Sequence, residues 1–118
     1  MPVSNEEKEF VTYVVDLMQS IGPVRAKGMF GGHGIFLEGL MFGLVADSVL
    51  YLKVDKETEN EFKARGLEAF TYNKKGKEFK MSYYQAPEEA LEDVEEMNSW
   101  ANNAYGTALK TASKKRKK

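Results

Sequence analysis

The sequence predicts an α+β fold in which helices pack against one antiparallel sheet. Two patterns in the 118 residues support this class. Residues 28–54 contain short apolar runs separated by Gly, Asp or Ser corners about every eight residues, a spacing typical of an antiparallel meander. On both sides of this stretch, apolar residues recur at helical spacing. A chain of this length has room for one hydrophobic core, so we expect a single domain.

The first helix is predicted over residues 5–20. Ser4 and Glu7 have the spacing of a capping box, in which each side chain accepts the other residue's backbone N–H. Gly22 and Pro23 end the helix. Apolar side chains recur along one face of it, at Phe10, Val14, Leu17, Met18 and Ile21.

Four strands are predicted to follow one another. A glycine-dense turn at residues 31–34 and two-residue corners at 38–39 and 47–48 connect them. Both faces of the middle strands carry apolar residues, so both should be covered, and a second copy of the chain would supply such a cover. In the third strand, alternation assigns one face to Leu40, Phe42, Leu44 and Ala46. The four strands are expected at residues 24–30, 35–37, 40–46 and 49–54.

The second half is predicted to contain two more strands and further helices. Asp55 should cap a helix at residues 56–65, with Gly66 as its left-handed C-terminal residue. Residues 69–72 and 78–84 should form a hairpin with a five-residue connection. The whole pattern therefore predicts an antiparallel sheet of five or six strands with helices packed on it.

The last helices begin near Pro87, which suits a first helical position. Asp93 and Glu96 have the spacing of a second capping box, and the terminal helix of about four turns should end before Lys110. Its apolar face consists of Val94, Met97, Trp100, Ala101, Ala104 and Ala108.

Charge is distributed unevenly along the chain. Residues 1–109 contain 11 basic and 18 acidic residues, a net charge of −7, whereas the last nine contain six basic residues and no acidic ones. An acidic body is not typical of a domain whose folded surface grips the DNA backbone. We therefore predict one domain over residues 1–109 and a basic, disordered tail over residues 110–118.

Composition excludes several classes of site. The chain has no cysteine, which rules out disulfides, zinc–thiolate sites and thiol nucleophiles and favours the cytoplasm. It has no apolar run long enough to span a membrane, and its first residues lack the basic and apolar regions of an export signal. We expect no metal, no cofactor and no membrane contact.

Residues 29–34, MFGGHG, allow two catalytic interpretations. A phosphate-binding loop would need its glycines to open a helix, but these lead into a strand, so a tight connection between strands is favoured. His33, the one histidine, could act as a general base. Spacing assigns it no partner, so a solvated loop histidine is favoured. A small enzyme or ligand-binding domain is therefore the least favoured class of function.

Aromatic residues between Tyr51 and Trp100 could serve either of two roles. Four tyrosines, together with Phe79 and Trp100, could stack nucleic-acid bases beside nearby lysines. Alternatively, these aromatic residues could belong to the core. If the folded body has a functional surface, we expect it here, as a protein contact or a nucleic-acid contact. The predicted contact residues are Tyr51, Tyr72, Tyr83 and Tyr84. The nearby lysines are Lys53, Lys74, Lys75, Lys77 and Lys80.

The C-terminal segment TASKKRKK is a second nucleic-acid candidate. Its charge density is typical of segments that bind phosphate backbones without reading sequence. The alternative is an idle, solvated terminus. The basic residues concerned are Lys114, Lys115, Arg116, Lys117 and Lys118.

One series of residues, spread over positions 5–109, has a joint spacing more specific than any single motif. It consists of Arg25, Met29-Phe30-Gly31-Gly32-x-Gly34, Met41-Phe42, Ala46-Asp47, Leu50-Tyr51-Leu52-Lys53, Phe70-x-Tyr72, Met81-Ser82-Tyr83-Tyr84-x-Ala86-Pro87 and Trp100-Ala101. This series resembles the N-terminal domain of the TfoX/Sxy family. The resemblance implies a two-layer α+β domain of the order α-β(3–4)-α-β(2)-α, similar to the type III secretion-chaperone fold, in which dimers are common.

The resemblance also implies a function. Full-length members are bacterial regulators of competence genes, which serve DNA uptake, and are described as acting with the cyclic-AMP receptor protein at promoters. They carry a second, C-terminal helical domain, in whose place this chain has a lysine tail, and no catalytic residues carry over. We therefore expect a non-enzymatic, cytoplasmic regulatory or interaction domain that forms a homodimer and acts through protein contacts. The alternative is an accessory nucleic-acid-binding protein that uses the tail.

Overall fold

The structure, a computed structural model, describes residues 5–29 and 32–116. It confirms the predicted α+β class, with helices packed on one antiparallel sheet. The first helix ends in a 3-10 turn at Gln19–Ile21, just before Gly22. The helices and strands are α1 (Asn5–Met18), β1 (Arg25–Met29), β2 (Gly32–Leu37), β3 (Leu40–Ala46), β4 (Val49–Lys53), α2 (Lys56–Ala64), β5 (Ala69–Lys74), β6 (Lys77–Gln85), α3 (Glu88–Glu92) and α4 (Val94–Arg116).

The sheet of the described residues has six strands in the order β1-β2-β3-β4-β6-β5, and every neighbouring pair is antiparallel. The first four strands form the predicted meander. The hairpin that follows joins this meander through its second strand, because β6 pairs with β4. The two edges of the sheet are therefore β1 and β5.

Two-residue corners connect three of the strand pairs. Glu38-Gly39 and Asp47-Ser48 lie where the sequence predicts them, and all four residues have positive φ, between 53° and 77°. Two left-handed residues in succession match the right-handed twist of the flanking strands. The third corner is Lys75-Gly76, with φ of 53° and 78°. It is shorter than the predicted five-residue connection because the strands continue through Lys74 and Lys77.

The predicted cap of α2 is confirmed. The Asp55 carboxylate accepts the backbone N–H groups of Glu57 at 3.0 Å and of Thr58 at 2.9 Å. The Thr58 hydroxyl accepts the Asp55 N–H in return, at 2.9 Å. Gly66, after the helix, has the expected left-handed φ of 78°. The capping box predicted from Ser4 lies outside the described residues.

All four helices in the described part of the chain contribute to one hydrophobic core, which covers a single face of the sheet. Phe62 of α2 lies at its centre beside Trp100 of α4 and Tyr84 of β6, with ring centroids 5.3 and 5.9 Å apart. Edge-on and tilted ring contacts of this kind add to the stabilisation from burial. The largest fully buried side chains are Phe42, Met18, Ile35, Leu50, Leu52, Met97, Val14 and Val45.

The predicted alternation in β3 is wrong after its third residue. Ile35 pairs with Gly43 but Phe36 pairs with Met41, so one residue of β3 is unpaired between them. Such a bulge reverses which face the later residues occupy. As a result Phe42 and Val45 both lie in the helix-side core, whereas Leu44 is buried but lies outside it.

The predicted glycine turn at residues 31–34 is also too long. Gly32, His33 and Gly34 already belong to β2, which begins three residues earlier than expected. Gly32 lies so close to the Val45 carbonyl oxygen that a Cβ would overlap it. A side chain is therefore excluded there, and a close strand approach accounts for the glycine.

The terminal helix α4 is longer than predicted. It has 23 residues and continues to Arg116 instead of ending before Lys110. The Lys110 ammonium lies 3.2 Å from the Asp55 carboxylate and 3.5 Å from that of Glu57. The division into a domain over 1–109 and a tail over 110–118 stays a prediction, but Lys110 contacts the α2 cap. In the described residues, no helix combines the length and apolar composition needed to cross a membrane.

Candidate interaction surface

The face of the sheet opposite the helices, called here the outer face, carries the candidate site. Cross-strand register decides which side chains share it. Leu44 pairs with Tyr51, and Lys53 pairs with Tyr83. Because paired residues point to the same side of a sheet, these side chains share one face. Leu44 and Tyr83 are buried yet lie outside the helix-side core, which identifies this face as the outer one.

Four rings form a continuous aromatic row across the outer face. Tyr51 meets Phe70 edge-on, with centroids 5.1 Å apart. Phe70 and Tyr72 lie 6.4 Å apart and Tyr72 and Phe79 lie 5.6 Å apart, with interplanar angles of only 22° and 28°. Tyr72 is 40% exposed and Phe79 is 41% exposed. The row therefore ends in two large, nearly parallel rings that face solvent.

Lysines adjoin the exposed end of the aromatic row. Lys74 pairs with Lys77 across the hairpin, two residues beyond the pair Tyr72 and Phe79 and therefore on the same face. Lys75 lies in the corner between them. We call these three the hairpin lysines. Positive charge is thus placed directly beside two exposed rings.

The structure separates the four predicted contact tyrosines. Tyr51, Tyr72 and Tyr83 lie on the outer face, but Tyr84 lies on the helix side, where its hydroxyl donates to Glu59 at 2.7 Å. Tyr72 is exposed, Tyr51 is half-buried, and Tyr83 and Tyr84 are only 6% and 3% exposed. The role of these four as contacts stays a prediction, and Tyr72 is the most accessible of them.

Sequence reasoning missed Phe70 as a member of this surface. A register shift between Ala69 and Thr71 interrupts the regular pairing of the hairpin at Phe70. The available signal was the spacing Phe70-x-Tyr72, which places two rings on one face of a strand.

A second apolar cluster, the methionine patch, lies over β1 to β3 on the outer face. It consists of Met29, Phe36 and Met41, which surround Gly34. A Cβ at Gly34 would come within 2.6 Å of Met29 Sδ, 2.8 Å of Phe36 Cε1 and 3.3 Å of Met41 Sδ. All three side chains are half-buried. A small pocket lined by Met29, Met41, Leu44 and Phe70 joins the patch to the aromatic row.

Burial affects the ionisation of two outer-face tyrosines, Tyr83 and Tyr51. It raises the pKa of Tyr83 to about 12. Burial also raises the pKa of Tyr51, and the carboxylates of Asp47 and Glu68 raise it further. Both hydroxyls are therefore neutral at neutral pH. The acidic neighbours lie at the Tyr51 end of the aromatic row, away from the hairpin lysines.

His33 is not the solvated loop residue that the sequence favours. Its side chain is only 16% exposed, and its Nδ1 lies 3.3 Å from the Glu7 carboxylate, which is 9% exposed. The difference arises because β2 begins early and α1 packs over it. Among the described residues, no three His, Asp or Glu side chains are grouped so that they could hold a metal ion.

The basic C-terminal residues cannot be placed in a site. The side chains of Lys114, Lys115, Arg116, Lys117 and Lys118 lie outside the described part of the structure. Nucleic-acid binding by this segment stays a prediction.

Comparison with known families agrees with the fold and the residues described above. The model of the TfoX N-terminal domain matches residues 16–108, from within α1 to within α4. The chain belongs to the TfoX N-terminal domain family. The whole sheet of this TfoX N-terminal domain, and with it the outer face, lies inside the matched region.

A curated relative supports the same assignment. The chain is 33% identical over 86 residues to the DNA transformation protein TfoX1 of Aliivibrio fischeri. The match covers 73% of this chain and 39% of the relative. This TfoX N-terminal domain is therefore related to a protein of DNA transformation over well under half of that protein's length.

Proposed function

We propose that this TfoX N-terminal domain is a non-enzymatic, cytoplasmic regulatory domain in the control of DNA transformation, and that it acts through protein–protein contacts. The observation that carries the proposal is the family match over residues 16–108 together with the relative's role in DNA transformation. The outer face supports a contact role, because it presents partly exposed apolar side chains that do not belong to the helix-side core.

The methionine patch is the proposed protein contact. Methionine side chains are flexible and polarisable, so they can fit partners of different shape. Met29, Phe36 and Met41 are half-buried in the monomer and would lose their remaining exposure against a partner. Apolar burial of this kind is the main favourable contribution to protein association.

The partner we propose for the methionine patch is a second copy of the chain, which gives a homodimer. A two-fold interface brings the same patch of both copies together, so apolar side chains pair with apolar side chains. A transcription factor such as the cyclic-AMP receptor protein is the further partner expected from the family resemblance.

Sedimentation velocity tests the homodimer with two matched variants. Met41→Lys places a charge in the methionine patch, whereas Leu109→Lys makes a comparable change at an α4 side chain that is already 49% exposed. We expect a dimer for the wild type and for Leu109→Lys, and a monomer for Met41→Lys. Thermal unfolding checks that each variant folds. A wild type that stays monomeric at micromolar concentrations contradicts the homodimer.

The second candidate is nucleic-acid binding by the basic C-terminal segment. Six basic residues among the last nine contrast with the acidic remainder of the chain. Because Lys110 contacts Asp55, a test should leave Lys110 intact and replace only Lys114, Lys115, Arg116, Lys117 and Lys118 by Gln. If the segment binds phosphate backbones, this change removes binding and the steep salt dependence that accompanies it.

A further inference from the structure

We propose that the exposed end of the aromatic row and the hairpin lysines form a binding site for single-stranded nucleic acid. The bases would stack on Tyr72 and Phe79, and the hairpin lysines would contact the phosphates. This site is distinct from the methionine patch and from the C-terminal segment.

Positive charge is concentrated in the hairpin of β5 and β6. Residues 69–85 contain four lysines and one glutamate, whereas the rest of residues 1–109 contains seven basic and 17 acidic residues. The hairpin is thus the basic region of an acidic domain. A local concentration of lysine on an otherwise acidic body attracts a polyanion to that region.

The charged side chains of the hairpin are divided between the two faces of the sheet. Glu78 pairs with Asn73 and directly follows Lys77 in β6. Because successive side chains of a strand point to opposite faces, the Glu78 side chain is on the helix side. Lys80 also lies on the helix side, where it contacts Glu59 at 3.3 Å. Within residues 69–85, all of which the structure describes, the outer face therefore carries Lys74 and Lys77 and no carboxylate.

The two exposed rings have a geometry suited to stacking. Tyr72 and Phe79 are about 40% exposed and lie within 28° of parallel, with Phe70 continuing the row beneath them. An exposed aromatic ring stacks any base, because every base has a π face. An acidic protein segment would use the lysines but has no need of parallel rings. The combination therefore favours a nucleic acid over an acidic protein.

The positions of rings and lysines fit a short strand. Lys74 and Lys77 lie two residues from Tyr72 and Phe79, about 7 Å along each strand. A lysine side chain at that distance can reach a phosphate attached to a stacked nucleotide.

Asp47 and Glu68 limit the site at the Tyr51 end, where they would repel phosphates. We expect a footprint of a few nucleotides, little sequence preference, and discrimination against duplexes, whose bases are already stacked.

Fluorescence anisotropy with a short labelled oligothymidylate tests the site. The protein is the full chain in which the five basic residues at 114–118 are replaced by Gln, so that the C-terminal segment cannot contribute. We expect binding to the oligothymidylate at low salt and at least about tenfold weaker binding to a duplex of equal length. Failure of this chain to bind the oligothymidylate at low salt would falsify the proposal.

Two double variants separate stacking from charge. Tyr72→Leu with Phe79→Leu keeps apolar bulk but removes the rings, and should weaken binding about tenfold or more. Lys74→Gln with Lys77→Gln should weaken binding and reduce the slope of log affinity against log salt by about 0.7 for each lysine. Thermal unfolding confirms that each variant folds.

The matched control is Lys8→Gln with Lys63→Gln, the same loss of charge on α1 and α2, which should leave oligothymidylate binding unchanged. Equal losses in the control and in the hairpin lysine variant would show a general charge effect and overturn the site. If the leucine variants bind oligothymidylate normally but lose the dimer, the row is instead an interface between copies of the chain. That result also overturns the proposal.

Discussion

Replacing Asp55 by Asn should remove a pH-dependent part of the domain's stability while leaving an acceptor in the α2 cap. The Asp55 carboxylate accepts two backbone N–H groups at the start of α2 and lies 3.2 Å from the Lys110 ammonium of α4. Asn can accept an N–H at a cap but cannot pair with Lys110. The variant therefore isolates the contribution of the charge.

The pKa of Asp55 sets the pH range and the upper limit of the effect. The backbone N–H of Thr58 does most to lower that pKa, Lys110 lowers it further, and it falls from 3.8 to about 2. A shift of this size corresponds to at most about 2 kcal/mol. Because the carboxylate is 26% exposed and the Lys110 side chain is 56% exposed, screening by solvent reduces our expectation to about 1 kcal/mol.

The sign follows from the direction of the shift. A carboxyl with a lower pKa in the folded state stabilises the fold above its unfolded value of 3.8, and this contribution is lost as the pH falls through about 2. The wild type should therefore exceed Asp55→Asn in stability at neutral pH, and the two should converge near pH 2. Asp55→Ala, which also loses the acceptor, should cost about 1 kcal/mol more.

Urea unfolding of the wild type and both variants, measured at several pH values, tests these expectations. Lys110→Ala is the matched control, because it removes the ion pair and leaves the cap. Lys110→Ala should reduce the pH-dependent part of the free energy of unfolding. The total loss of stability should be smaller than that of Asp55→Ala. A difference between wild type and Asp55→Asn that does not change with pH would refute the reasoning, as would additive effects of Asp55→Asn and Lys110→Ala.

Two further expectations concern the sheet. Gly32→Ala should destabilise the domain by about 2–3 kcal/mol, because its Cβ would overlap the rigid Val45 carbonyl. Gly34→Ala should cost less, because its Cβ would meet only side chains, those of Met29, Phe36 and Met41, which can shift. Equal losses in thermal unfolding would contradict this contrast. Because burial raises the pKa of Tyr83 from 10.0 to about 12, the stability of the fold should fall as the pH rises from 10 through 12. Tyr83→Phe should abolish that part of the fall, which urea unfolding at alkaline pH measures. An unchanged alkaline profile in the variant would show that another group is responsible.

Features that depend on near neighbours in the chain could be predicted from the residues. The corners at 38–39 and 47–48, the Asp55 cap and the left-handed Gly66 all follow from local turn and capping chemistry. Alternating apolar residues likewise predicted the hairpin that forms β5 and β6. The family pattern was also readable, because it is carried by residue types at fixed spacing.

Tertiary structure alone decided how these elements meet. The bulge beside Ile35 moves Leu44 to the outer face, and the pairing of β6 with β4 decides which side of the hairpin faces the helices. Only that docking assigns Lys77 to the outer face and Glu78 to the helix side. Hydrogen bonds between distant strands fix the register, and a shift of one residue exchanges the two faces, so local patterns cannot determine it.

Long-range packing also decided the contacts of two charged or polar side chains that the sequence placed in solvent. His33 lies against Glu7 because α1 packs over β2, and Lys110 lies against Asp55 because α4 continues past the predicted end of the domain. In both pairs the partner is far away in sequence. Local spacing carries no information about such contacts, and burial against another element creates them.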